Sequence, residues 1–279
     1  MRDVIHQFHT KRRHLWQPSA LRLLREAACA RAARRSVPAV IDGVRIHFPE
    51  IKVSCGLEVT VRSTRLSGQP LLEMLYQEGL RETALDMGLI GLRALEFADL
   101  GSAPGGLFGR IYPAIRPLKV MMGEMSRSGL LTPRQRRTLG SLVLAQLLAP
   151  CTQRVLVHGD LHPSHLIVDL ASRTLGIIDL EAMRTGKAAT NFAQLWIGYY
   201  FADEELGREF RRRYFLASAM VIDERFDADV RAELALRSYS HVIEGMRQSN
   251  REMEEKARAL LSSVLTSRSF DEICPEGAA

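Results

Sequence analysis

The chain has 279 residues, 46% of them hydrophobic and 25% charged, enough to bury one large domain or two lobes. Its net charge of +6 comes almost wholly from arginine, since lysine occurs only at 11, 52, 119, 187 and 256. There is no run of about 18 apolar residues, no signal-peptide core, and no zinc-ligand or disulfide spacing among cysteines 29, 55, 151 and 274. A reduced, cytoplasmic protein without a membrane span is therefore expected. The arginines are dispersed, and Arg211-Arg212-Arg213 sits in helical context, so nucleic acid is not an expected partner.

In chain order, residues 3–9 read as a short strand and 19–35 as a helix, with Ser19 as its cap after Pro18. Val37-Pro38 ends that helix, and residues 39–65 are β-like, with alternation clearest over residues 57–64. Gly68-Gln69-Pro70 breaks the chain before a helix beginning near Leu71. The pattern then stays mainly helical to about residue 149, interrupted by a glycine-rich stretch at 101–109 that reads as a loop. Thr132-Pro133 opens a further helix, with threonine as cap and proline at the first position. Two apolar runs, Leu166–Val168 and Leu175–Ile178, flank a turn at 169–174, and residues 190–265 return to helix. The expected fold class is α+β. A small lobe of strands and one helix covers 1–66, and a larger helical lobe covers 67–279 and holds the hairpin of 155–181.

A hairpin of that length brings Asp160 and Asp179 to the same end. Two carboxylates facing one cleft suit phosphoryl transfer, in which one takes a hydroxyl proton and the other holds the metal on the nucleotide phosphates.

Three blocks carry a resemblance: His158-Gly-Asp-Leu-His-Pro-Ser-His165, Ile178-Asp-Leu-Glu181 and Gly186-Lys-Ala-Ala-Thr-Asn191-Phe-Ala. Over about residues 20–245 the chain resembles the aminoglycoside-phosphotransferase and choline-kinase-like family, which has a two-lobed protein-kinase-like fold. That resemblance implies ATP-dependent phosphorylation of a hydroxyl on a small aminoglycoside-, choline- or sugar-like acceptor. ATP is then the co-substrate and Mg2+ the cofactor, with Mn2+ as the alternative ion. It implies Asp160 as catalytic base or hydroxyl-orienting group, His158 as the brace of the catalytic loop, and Asp179 as the metal ligand. Asn191 stands where the family usually has an aspartate that supports that loop; the amide keeps the acceptor oxygen without the charge. Glu26 matches the family's helix glutamate, and Lys11, 15 residues earlier, is the candidate for holding nucleotide phosphates. A solvated surface lysine is the competing reading, because the strand core Val4–Phe8 puts His6 at the corresponding place. Lys52 lies beyond the helix and is a poor substitute.

His165 departs from the family's asparagine. Three readings stay open: it donates a hydrogen bond to phosphate, it ligates a metal of altered preference, or the site is degenerate. Histidine there, with Ile178-Asp-Leu180, also resembles lipopolysaccharide-core sugar kinases, so a cell-envelope sugar is an alternative acceptor. Upstream of Lys11 there is no room for the two strands and phosphate-covering turn that usually precede it, so Met1 is an internal start or the lid is reduced. Together with His165 and Asn191, this leaves a catalytically impaired nucleotide- or partner-binding module as a third reading. Histidines 6, 9, 14 and 47 read as core or surface residues. Trp196, Tyr199 and Tyr200 read as core packing, with stacking on an acceptor as the alternative. Asp203, Glu204 and Glu205 read as a helix start that could also attract a cation. No motif marks the acceptor or the oligomeric state.

Overall fold

The first strand forms where charge, not apolar alternation, dominates the sequence. The computed structural model describes residues 8–14, 18–56, 58–101, 129–148 and 154–274. In it, β1 is Phe8–His14, and most of the strand expected at 3–9 lies outside the described residues. β1 pairs antiparallel with β5 (Glu58–Thr64), whose buried Val59 and Val61 stand opposite Arg13 and Lys11. The apolar face of this ladder thus comes from β5, which also pairs with β4 (Ile51–Cys55) to give the order β1-β5-β4. Helix α1 (Pro18–Ser36) starts one residue ahead of Ser19 and packs on β4 and β5. Its Ala27, Cys29, Ala30 and Ala33 are fully buried, and such small side chains let a helix approach a sheet closely.

A second sheet holds the expected hairpin. β2 (Val40–Ile41) turns into β3 (Val44–His47) through Asp42-Gly43, both at positive φ, the backbone that a two-residue hairpin turn demands. β8 (Leu166–Asp169) and β9 (Thr174–Ile177) pair antiparallel; β9 runs parallel to β3, and β8 pairs with β6 (Gln69–Pro70). The strand order is β2-β3-β9-β8-β6. Helices α2 (Leu71–Leu75) and α3 (Arg81–Glu96) cover it. Leu85 and Leu92 of α3 are fully buried, worth about 1.5–3 kcal/mol each by area. Gly91 of α3 leaves a Cβ-sized space 3.4 Å from Leu166 and 3.5 Å from Leu175, so the helix rests on the hairpin's apolar side chains.

Two compact units divide the chain: residues 1–109 with 155–185, and residues 110–154 with 186–279. The sequence division at 66/67 puts the hairpin with the helices, whereas the β3–β9 pairing, which no local periodicity records, groups it with the N-terminal strands. β7 (Arg154–Val157) and β10 (Arg184–Lys187) form a separate two-stranded ladder.

The described part of the second unit is helical: α4 (Pro133–Leu148), α5 (Ala188–Ala202), α6 (Glu204–Ala217), α7 (Glu224–Gln248), α8 (Arg251–Thr266) and α9 (Phe270–Ile273). Thr132 caps α4 as its sequence suggests: its Oγ1 accepts from Gln135 N at 3.2 Å while its N–H donates to Gln135 Oε1 at 2.9 Å. Trp196 and Tyr199 are fully buried in an aromatic core; Tyr199 stacks on Phe210 at 4.2 Å and Trp196 Nε1 donates to Gly207 O. The glycine-rich stretch beyond Gly101 lies outside the described residues. Among the described residues no helix is long and apolar enough to cross a membrane.

Candidate active site

β7 enters on three buried residues, Val155, Leu156 and Val157, and the chain then forms the loop 158–165. Leu161 anchors the loop inward. Short bonds fix its course: His162 N donates to Asp160 O at 3.0 Å, His165 N to His162 O at 2.8 Å, and Ser164 N to His162 Nδ1 at 3.2 Å. Gly159 has φ +91°, and a Cβ there would lie 2.4 Å from Ala182 O. Only glycine lets the loop pass so close to the segment after Asp179.

His158 is fully buried beneath this loop. The Asp160 N–H donates to its Nδ1 at 3.3 Å, so the ring's own proton is on Nε2, which donates to Ile178 O at 2.8 Å. Burial lowers its pKa from 6.5 to about 4, outweighing the bond to Ile178 that favours the charged form. A neutral ring thus ties the backbone of Asp160 to the residue before Asp179.

Asp179 sits at φ 59°, ψ 58°, in the left-handed region that non-glycine residues seldom adopt. It precedes a 3-10 turn, Leu180–Ala182, anchored by buried Leu180. An outlier of this kind, held by its surroundings, aims the carboxylate at a cost in backbone energy.

His165 closes the group. Its Nδ1 is 2.7 Å from Asp160 O, and its Nε2 is 3.6 Å from Asp179 Oδ2. The ring stacks on His158 with centroids 5.9 Å apart. One donor atom each from Asp160, His165 and Asp179 lies within 4.8 Å of the others, and none of the three residues is buried. Two carboxylate oxygens and one imidazole nitrogen converging on an accessible point fit a divalent cation of the Mg2+ or Mn2+ kind.

Lys11 Nζ lies 3.1 Å from Glu26 Oε2 and 3.4 Å from Oε1; Glu26 is buried on α1, and Lys11 is partly exposed. The same helix reaches past Asp179, where Arg25 Nη2 donates to Met183 O at 3.4 Å. Cys29 Sγ also lies against Met183 O, and burial pushes its thiol pKa up. Lys52 and His47 are exposed. His6 lies outside the described residues. Asn191 is buried in the first turn of α5, in the second unit. Tyr200 is half-buried, its hydroxyl bonded to Glu204 and its pKa pushed up to about 12 by burial. Asp203 caps α6 by accepting from Glu205 N at 2.8 Å.

The sequence signature of the phosphotransferase enzyme family matches residues 10–234. The chain belongs to that family. A comparison with curated proteins finds no sequence match. Solved structures are similar in fold. The GDP complex of aminoglycoside 2'-phosphotransferase-IIIa has 16% identity and TM-score 0.56, with 94% of each chain covered. Aminoglycoside phosphotransferase APH(4)-Ia with ADP and hygromycin B has 16% identity and TM-score 0.57, covering 86% of this chain and 82% of that one. The gentamicin complex of APH(2")-IIa has 18% identity and TM-score 0.56, covering 95% and 86%. This phosphotransferase is thus an α+β protein with a small N-terminal sheet part and a larger helical C-terminal part, the kinase-like fold.

Sequence reasoning passes over Gly159, the Ile178 carbonyl and the contacts of α1 with Met183. Gly159 had a signal, since a glycine between two polar residues invites a positive φ. The other two are backbone acceptors, which leave no mark on residue identity.

Proposed function

We propose that this phosphotransferase moves the γ-phosphoryl group of ATP to a hydroxyl of a small, sugar-like molecule. The observation that carries the reading is the convergence of Asp160, His165 and Asp179 around one accessible point. A bound divalent cation supplies charge neutralisation on the nucleotide phosphates. Asp179 would hold that cation, and the strained backbone there fixes the direction of its carboxylate. Asp160 accepts a hydrogen bond from the attacking hydroxyl, aligns it for in-line displacement and takes its proton. His158 keeps the loop in register with the strand that delivers Asp179. Lys11, oriented by Glu26, offers its ammonium to the phosphates.

The neighbours in fold were captured with GDP or ADP and with hygromycin B or kanamycin. By analogy, a purine nucleotide donor and a polyhydroxylated acceptor are the classes to test first. Asp160→Ala is expected to lower turnover by about 10²–10⁴-fold while nucleotide affinity, read by calorimetry, stays within a few-fold. Unchanged turnover would remove Asp160 from the mechanism.

A further inference from the structure

A carbonyl oxygen only accepts, so the 2.7 Å contact of His165 Nδ1 with Asp160 O places the ring proton on Nδ1. In the neutral form that a metal ligand takes, Nε2 then carries a lone pair. It faces Asp179 Oδ2, another acceptor, at 3.6 Å, too far for a hydrogen bond and close to the spacing of two donors sharing one small cation. The ring is not free to turn away. It stacks on the buried His158 at an interplanar angle of 22°, its backbone N–H is bonded to His162 O, and its carbonyl accepts from Ile178 N at 3.0 Å. A carboxamide in this place would offer the same pair, an N–H for the loop carbonyl and a lone pair for the metal. The imidazole keeps the arrangement but substitutes nitrogen for oxygen.

We propose that Nε2 of His165 is a direct ligand of the divalent cation held by Asp179, and that this nitrogen tilts the site from Mg2+ toward Mn2+. Mg2+ strongly prefers oxygen donors, whereas Mn2+ accepts imidazole within an otherwise oxygen-rich set. The neighbouring donors favour Mn2+ over zinc, because they are carboxylates and Cys29 Sγ is turned to Met183 O instead. The inference rests on the phosphotransferase reading only for the phosphate oxygens that complete the coordination.

The test uses the full chain with MnCl2, alone and with a non-hydrolysable ATP analogue. Pulsed electron paramagnetic resonance of the bound Mn2+ should show a ¹⁴N coupling that becomes a ¹⁵N coupling when histidine is isotope-labelled. His165→Asn should abolish that coupling while still binding Mn2+, and should lower the ratio of Mn2+ to Mg2+ affinity by about tenfold. His165→Gln serves if the asparagine variant fails to fold, and the labelled wild type decides the nitrogen question without any variant. His162→Asn should retain the coupling, because His162 Nδ1 is committed to Ser164. Folded wild type that binds no Mn2+, binds it without nitrogen coupling, or has the same metal ratio as His165→Asn overturns the proposal. Nitrogen coupling without phosphoryl transfer would sink the functional reading and leave the ligand assignment standing. Transfer without coupling would do the reverse.

Discussion

In helices α5 to α8, charged side chains find partners within a turn or on the next helix. Glu205 meets Arg208, Glu254 meets Arg258, and Glu209 is held down to about 2 chiefly by its bond to Arg212, with Arg213 adding to it. Lys187 and Asp229, both largely buried, pair at 2.7 Å. Residues 158–182 use polar groups in the opposite way. Asp179 is turned by a left-handed backbone toward a histidine nitrogen 3.6 Å away, and a buried histidine is kept neutral to serve as a strut. The helices balance their charges internally and gain stability from an aromatic core. The hairpin end keeps acceptors converging and gives up local comfort to do so.

That contrast can be broken most directly at the core of the helices. Trp196→Ala removes a fully buried indole that stacks on Tyr200 and meets Phe270 edge-on, and about 3–5 kcal/mol of unfolding free energy should be lost in denaturant titrations. A change in turnover with unaltered stability would assign Trp196 to the site instead of the scaffold.

The strut at His158 offers a somewhat smaller effect with a definite pH signature. The folded ring stays neutral down to about pH 4, while the unfolded side chain takes its proton near 6.5. Between those values the unfolded chain binds more protons, so stability present above pH 6.5 falls as pH drops toward 4, by about 3 kcal/mol. Chemical unfolding at several pH values, without divalent ions, should show this slope in wild type and a flatter one in His158→Gln. Equal slopes would mean that His158 is not the buried neutral group described.

The smallest effect sharpens the comparison from the other side. Glu205→Ala removes an exposed partner of Arg208 and should shift stability by no more than about 0.5 kcal/mol, readable by thermal melting. A large loss there would show that the helical charges matter beyond local balance.

Much of this was legible in the sequence wherever the signal is local. The threonine-proline start of α4, the hairpin at 166–177 and the helix start at Asp203-Glu204-Glu205 follow from neighbouring residues, and the structure has them. The separation of Lys11 from Glu26 also suggested a pair, and their side chains meet. The run of β1 on to His14, past the expected 3–9, was not legible because its apolar partners, Val59 and Val61, lie about fifty residues away on β5. The role of His165 was undecidable from identity alone, because its meaning depends on which ring nitrogen meets the Asp160 carbonyl.

The parallel pairing of β3 with β9 carries a consequence in time. Arg45 is made 129 residues before its partner Thr174. At roughly 5–20 residues per second, the ribosome leaves that edge of β3 waiting for roughly 6–26 seconds before its neighbour is synthesised. The strand that will hold the hairpin is therefore an open edge during synthesis, short and carrying Arg45 and His47, two exposed polar residues suited to discouraging premature pairing.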